Sequence, residues 1–237
     1  MASHIGIVAC SAEGAALCYR TICIEGPALM GDYNHPEVSM HTFPFKLHVD
    51  RMRRDDWQEV AALMLSSAVK LAQIGADFAI CPDNTAHRAL PMVRPRSPIP
   101  WLHIAEEVTR EAARLGYRKI GLTGTQSLVA GNVYPAALAA ADIQAVRPTE
   151  DQQREVDAII FNELVYGKFL PKSFAYLLDV MISLKDAGCD AVVLGCTELP
   201  ILVGDQLTPL PTLDSTRILA RAALAKAATA PKTQCAG

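Results

Sequence analysis

Short apolar runs alternate with longer stretches of helical periodicity along most of this chain. The runs at residues 4–9, 37–43, 77–81, 99–103, 119–123, 190–194 and 210–213 are rich in Ile, Val and Leu. They pass into loops holding Pro, Gly, Asn or Thr, as buried parallel strands do. Between them, Trp57, Val60, Met64, Ala68, Leu71 and Ala72 recur on one helical face that Gly75 ends, with Asp55 or Asp56 as its cap. Thr149-Glu-Asp-Gln152 has the form of a capping box and opens a helix carrying Val156, Ile159 and Ile160. Phe174, Leu177, Leu178, Met181 and Leu184 form a further apolar stripe, closed by Gly188. Alternation of this kind predicts an α/β fold with parallel sheets and right-handed crossovers.

The pattern runs twice. His4-Ile-Gly-Ile-Val-Ala-Cys-Ser11 is similar to Lys119-Ile-Gly-Leu-Thr-Gly-Thr-Gln126, the segment from Gly75 to Thr85 aligns on Gly188 to Glu198, and Pro98–His103 aligns on Pro209–Asp214. The offsets are 115, 113 and 111 residues. Identity is low, since the middle pair shares only the glycine and aspartate of a Gly-x-Asp start. A steady offset predicts two pseudo-symmetric α/β domains. The last strand and helix lie beyond the second copy, so the first half is expected to recruit that helix. The expected domains are residues 1–98 plus 214–237, and residues 99–213.

In parallel sheets, ligands gather at the carboxyl ends of the strands. The middle repeat puts Asp83 and Cys196 at equivalent positions there. If the halves face one another, these residues approach a shared interdomain cleft from opposite sides, the geometry for taking a proton from one face of a carbon and returning one to the other.

Composition narrows the setting. The chain has 237 residues and a formal charge of −3, with Lys and Arg scattered evenly. No basic stripe directs it to nucleic acid or an anionic membrane. Seven cysteines, mostly inside apolar runs, read as reduced thiols. No apolar run reaches membrane-spanning length, and the N-terminus enters a strand without a charged leader, so a cytoplasmic protein is expected. Residues 228–237 are small and polar and read as a frayed tail.

The residues at the two strand ends resemble a known family. Asp83-Asn84-Thr85-Ala86-His87 is similar to the Cys-Asn-Thr-x-His motif of the cofactor-independent aspartate/glutamate racemases, and Gly195-Cys196-Thr197-Glu198-Leu199-Pro200 resembles their second cysteine motif. The resemblance extends over almost the whole chain. It implies two α/β domains with the active site between them, and stereoinversion of an acidic amino acid by two cysteines without pyridoxal phosphate, metal or other cofactor. Many relatives are oligomeric, which implies a homo-oligomer, expected here as a dimer. Carried over by position, Cys196 is one acid/base residue and Asp83 stands where the other is expected, with Asn84, Thr85 and Thr197 holding a substrate carboxylate. Thr123-Gly124-Thr125 resembles the family's threonine-rich turn, and Cys10 and Ser11, which match Thr125 and Gln126 in the internal repeat, are candidates to line the same cleft. Two features depart from the family. Asp83 replaces a cysteine, and the first loop reads Ala9-Cys10-Ser11-Ala12-Glu13-Gly14 instead of a glycine-rich turn with methionine.

The substitution at position 83 changes the chemistry. A free carboxyl has a pKa of about 3.9 against about 8.5 for a thiol, roughly 6 kcal/mol of proton affinity. Burial near a second carboxylate can recover much of that. Three readings therefore stand together. The first is an Asp83/Cys196 two-base racemase or epimerase acting next to a carboxylate, with aspartate or glutamate as substrate. The second is a one-thiol decarboxylase, cis-trans isomerase or hydrolase using Cys196, and the third a small-carboxylate binding protein without chemistry. Around these residues, His87 reads as tying down its loop, Cys81 as core, Asp214 as the cap of the last helix with His103 at a crossover, and Arg51, Arg53 and Arg54 as a basic cluster on a solvated face or near a distal carboxylate. No phosphate-binding glycine loop, His-Glu-x-x-His or Cys-x-x-Cys is present, so neither metal nor nucleotide is implied.

Overall fold

In the computed structural model, residues 2–229 are described and fall into two compact units. One comprises residues up to Pro82, Ala89–His103 and the chain from Leu219; the other comprises Asp83–Arg88 and Ile104–Ile218. The tail expected from residue 228 lies outside the described residues from 230 onward.

In the first unit the order is β1 (Ile5–Ala9), α1 (Ala12–Met30), β2 (Val38–Thr42), α2 (Phe45–Arg53), α3 (Trp57–Gln73), β3 (Phe78–Ile80) and the short α4 (Leu90–Val93). Its sheet is parallel with β1 at the centre, Ile5 lying opposite both Val38 and Phe78. The second unit contains α5 (Ile104–Arg114), β4 (Lys119–Thr123), α6 (Gln126–Ala130), α7 (Val133–Ala139), β5 (Gln144–Val146), α8 (Glu150–Asn162), α9 (Pro171–Asp186), β6 (Ala191–Leu194), α10 (Leu199–Val203) and β7 (Thr212–Asp214). Its parallel sheet runs β5-β4-β6-β7. The last helix, α11 (Ser215–Thr229), begins in the second unit and continues into the first.

The apolar pattern explains the layers. Successive strand residues point to opposite faces, so a strand covered on both sides must be apolar throughout. On β6, Ala191 and Val193 pack with Val108 of α5 and Leu138 of α7, whereas Val192 and Leu194 pack with Ile160 of α8 and Leu177 of α9. Local signals act where expected. Asp56, rather than Asp55, caps α3 by accepting the Glu59 amide, and Thr149 and Gln152 form the complete capping box of α8.

Two elements differ from the sequence reading. Residues 99–103 make only an isolated parallel bridge between Trp101 and Ala79. Pro98 and Pro100 have no N–H to donate, so pairing reduces to the Ala79 amide on the Pro100 carbonyl and the Leu102 amide on that of Ala79. The edge strand β5 was not anticipated, because Gln144-Ala-Val146 is too short and too little buried to carry an apolar run.

Each unit repeats the other's topology, with β1, β2, β3 and the Trp101 bridge matching β4, β5, β6 and β7 in sheet order. The shared aspartate of the repeat has one job in both. Asp77 accepts the His4 amide at 2.7 Å while donating its own amide to the His4 carbonyl at 2.9 Å. Asp190 accepts the Lys119 amide at 2.8 Å and the Arg118 amide at 2.7 Å, and its amide reaches the Lys119 carbonyl at 2.7 Å. The packing repeats too. A Cβ on Gly6 would meet Leu71 Cβ at 3.3 Å, and one on the equivalent Gly121 would meet Leu184 Cδ1 at 2.8 Å. At both positions a side chain would crowd the leucine packed on the central strand.

Asp190→Ala removes the acceptor from two strand-end amides. It should destabilise the protein by about 1–2 kcal/mol in urea unfolding, with Asp190→Asn recovering part of the loss.

Candidate functional site

The loop Asp83–Arg88 clusters with the second unit, which also holds Cys196. Cys196 follows β6 through Gly195. The Gly195 amide bonds the Thr123 carbonyl at 2.9 Å, and a Cβ at Gly195 would lie 2.6 Å from that same oxygen. The turn carrying the thiol is therefore pressed against the end of β4. Two hydroxyls fix the adjoining end of β6: Thr123 Oγ1 donates to the Val193 carbonyl at 2.7 Å, and Ser215 Oγ donates to that of Leu194 at 2.8 Å.

The thiol is buried, and so are its neighbours. Cys196 Sγ donates to Glu198 Oε2 at 2.9 Å, and Thr197 Oγ1 donates to the same oxygen at 2.7 Å. Glu198 is only 3% exposed. Burial raises the Cys196 pKa well above the usual thiol value. The Glu198 carboxylate raises it further by charge and by hydrogen bonding, the Glu198 backbone hydrogen bond pulls it partly back, and the charge of Asp83 adds to the rise. Asp83 is half-buried and accepts the Ala86 amide at 2.8 Å, which closes its loop.

Asn84 is buried in a polar chain. Tyr134 Oη donates to Asn84 Oδ1 at 2.6 Å, and Asn84 Nδ2 donates to Ser215 Oγ at 2.9 Å, whose own proton goes to the Leu194 carbonyl. The chain ties the Asp83 loop to the strand end that carries Cys196. Burial holds the Tyr134 phenol far above its ordinary value, so it stays a donor. Thr85 Oγ1 lies 3.1 Å from Thr125 Oγ1, and Thr125 caps α6 by accepting the Leu128 amide.

Asp83, Asn84, Thr85, Thr123, Thr125, Cys196 and Thr197 thus share one unit. Cys10 and Ser11 belong to the other. There Ser11 caps α1 by accepting the Gly14 amide, and Cys10 Sγ lies 3.6 Å from His48 Nδ1. His48 is 1% exposed, and burial followed by the charge of Arg51 pushes its pKa down to about 4. Arg51 bonds the Leu47 carbonyl and lies 3.6 Å from Glu59, while Arg54 bonds the Asp50 carbonyl. Asp214 accepts the Arg217 amide at the start of α11, and His87 and Cys81 are buried. Among the described residues, no group of three or more His, Cys, Asp or Glu is placed to hold a metal ion, and no helix is long and apolar enough to cross a membrane.

Sequence reasoning missed Glu198, Ser215 as a loop anchor, and Tyr134. Glu198 stands two residues from Cys196 in the quoted motif, a visible signal. Tyr134 gave none, because its partner is 50 residues away.

Doubled parallel sheets, with a carboxylate and a thiol following equivalent strands, define a two-unit α/β protein. The chain belongs to the Asp/Glu/hydantoin racemase family, whose model matches residues 34–223, and it is accordingly an isomerase of the racemase type. It is 24% identical to the broad-specificity amino-acid racemase RacX of Bacillus subtilis, over 80% of this chain and 81% of that protein. It is 31% identical to a glutamate racemase of Thermus thermophilus, over 72% of this chain and 60% of that protein. A crystal structure from Yersinia pestis, provisionally assigned as an Asp/Glu racemase, superposes with a TM-score of 0.86 at 27% identity, covering 95% of this chain and 99% of its own.

Two outcomes follow from this geometry. Tyr134→Phe leaves the Asn84 amide oxygen buried without its donor and should lower unfolding stability by about 1–3 kcal/mol. His48 gives a pH dependence. Unfolded, it takes a proton near 6.5; folded, only near 4. The unfolded state binds more protons between those values, so stability falls as pH drops through that window, by about 3 kcal/mol at most. In His48→Gln, stability measured from pH 7 to 4 should lose that part of the slope.

Proposed function

We propose that this protein interconverts amino-acid enantiomers or epimers without a cofactor, by removing and returning the proton on the carbon next to the carboxylate. Asp83 and Cys196 are the two acid/base groups. The observation that carries this reading is their equivalence. Each stands six residues beyond an aspartate that sets its strand's register, and the charge of Asp83 acts on the Cys196 thiol. Deprotonation at this carbon needs one base and one acid on opposite faces, and a two-fold repeat of topology supplies two such groups from one ancestral position.

The first substrates to test are aspartate and glutamate, supported by the glutamate racemase relative; the broad-specificity relative brings neutral amino acids into the same panel. Thr123 and Thr197 each direct their single hydroxyl proton to a protein oxygen in this arrangement. Their roles toward substrate are those of acceptors, and a substrate ammonium suits them better than its carboxylate. Thr85 and Thr125 hold two hydroxyl protons with only one engaged between them, which leaves the other to donate to a carboxylate.

Incubation of both enantiomers of each amino acid in D2O, followed by proton NMR and chiral chromatography, should show deuterium at Cα together with the opposite enantiomer. Cys196→Ser and Asp83→Asn should each slow that exchange by about 10²–10⁴-fold. Exchange without inversion would leave one competent base, and no exchange with any amino acid would overturn the reading.

A further inference from the structure

Glu198 has no part in the two-base scheme, yet its carboxylate accepts the thiol's hydrogen bond at 2.9 Å. It is 3% exposed, and the oxygen that accepts the Cys196 S–H is fixed from a second side by the Thr197 hydroxyl. A carboxylate pinned against a buried thiol accepts its proton while the group is S–H and repels it once it is a thiolate. The backbone hydrogen bond of Glu198 to the sulfur pulls weakly the other way, and two further carboxylates do not relieve the effect. Asp83, across from Cys196 on the 83–88 loop, is also negative, and Asp214 at the end of β7 is ion-paired with Arg217.

We propose that Glu198 is a positioning residue that holds Cys196 as the proton donor of the resting protein and so fixes Asp83 as the base. The rest of the consequence rests on the racemase reading. Asp83 carboxylate takes the Cα proton, leaving the electron pair on carbon. Cys196 delivers its S–H proton to the opposite face, forming the new C–H bond. The protein is left with Asp83 as the acid and Cys196 as the thiolate. Asp83 then loses its proton to water and Cys196 regains one from water. The resting protein thus has a single protonation form, primed for the enantiomer whose Cα proton faces Asp83.

The test follows the thiolate without substrate. Ultraviolet thiolate absorbance is titrated for the parent protein and for Glu198→Gln, each corrected by the same protein carrying Cys196→Ser. The parent midpoint for Cys196 should lie above the ordinary thiol value of about 8.5. Glu198→Gln, which keeps an acceptor but removes the charge, should lower it by about one pH unit or more. Glu198→Asp, which retains the charge, should stay closer to the parent. A role in stability alone would lower the unfolding midpoint and leave the titration unmoved. A parent midpoint at or below the ordinary value overturns the proposal even if the Gln variant fails to fold, as does an unmoved midpoint in a folded one. Loss of the racemase reading in the D2O experiment leaves this titration intact, so the two can fail separately.

Discussion

The aspartate of the Gly-x-Asp turn is the constraint on which the rest of each unit depends. Asp77 and Asp190 exchange bonds with His4 and Lys119, the residues at the entry of the central strands. Parallel strands have no hairpin to fix their register, so something else must. Here a short side chain does so at the start of the pairing. Register set at that end is carried along the strand, and six residues later it places Asp83 in one copy and Cys196 in the other. A slip of one residue would turn each reactive group to the opposite face of its sheet.

That constraint also explains what could be read from the sequence. Between the middle repeats only the glycine and the aspartate are identical, and these are the two positions whose chemistry cannot be exchanged: one ends a helix with a positive φ, +95° at Gly75 and +83° at Gly188, and the other pins a strand. Strands with both faces covered were legible as apolar runs. The pieces that were not legible lacked local causes. The bridge at Trp101 looked like a strand because its apolar content was right, while two prolines had removed the donors. Strand β5 is an edge and needs no apolar pattern. The chain from Tyr134 through Asn84 to Ser215 joins residues up to 131 positions apart, and no spacing rule reaches that far.

The site's polar side chains hold the protein to itself. Thr123 and Ser215 satisfy consecutive carbonyls at the end of β6, Asn84 bridges Tyr134 and Ser215, and Thr197 fixes Glu198. In a buried region, each of these groups would be costly if left unpaired, and once paired it has little freedom. Asp83 and Cys196 are thereby held on braced segments. Proton transfer to and from carbon gains from such bracing, since the acid and the base must hold their positions before the substrate arrives.

Symmetry of fold and asymmetry of chemistry then have one origin. Equivalent strand ends supply equivalent places, but a carboxyl and a thiol differ by about 4.6 in their ordinary pKa. Left in water near neutral pH, the carboxyl would be a weak base and the thiol would mostly keep its proton. The surroundings act on the thiol. Burial, the Glu198 carboxylate and the charge of Asp83 push the thiol up, against a smaller pull downward from the Glu198 backbone hydrogen bond. Separation of this kind assigns roles: the group with the higher proton affinity keeps the proton and the other accepts one. In the two-base scheme proposed above, a symmetric pair of thiols would be told apart by the substrate, whereas an Asp/Cys pair would be told apart before the substrate binds. In that proposed scheme the carboxyl of Asp83 and the carboxylate of Glu198 beside the thiol work in the same direction, each favouring Cys196 as the group that holds its proton.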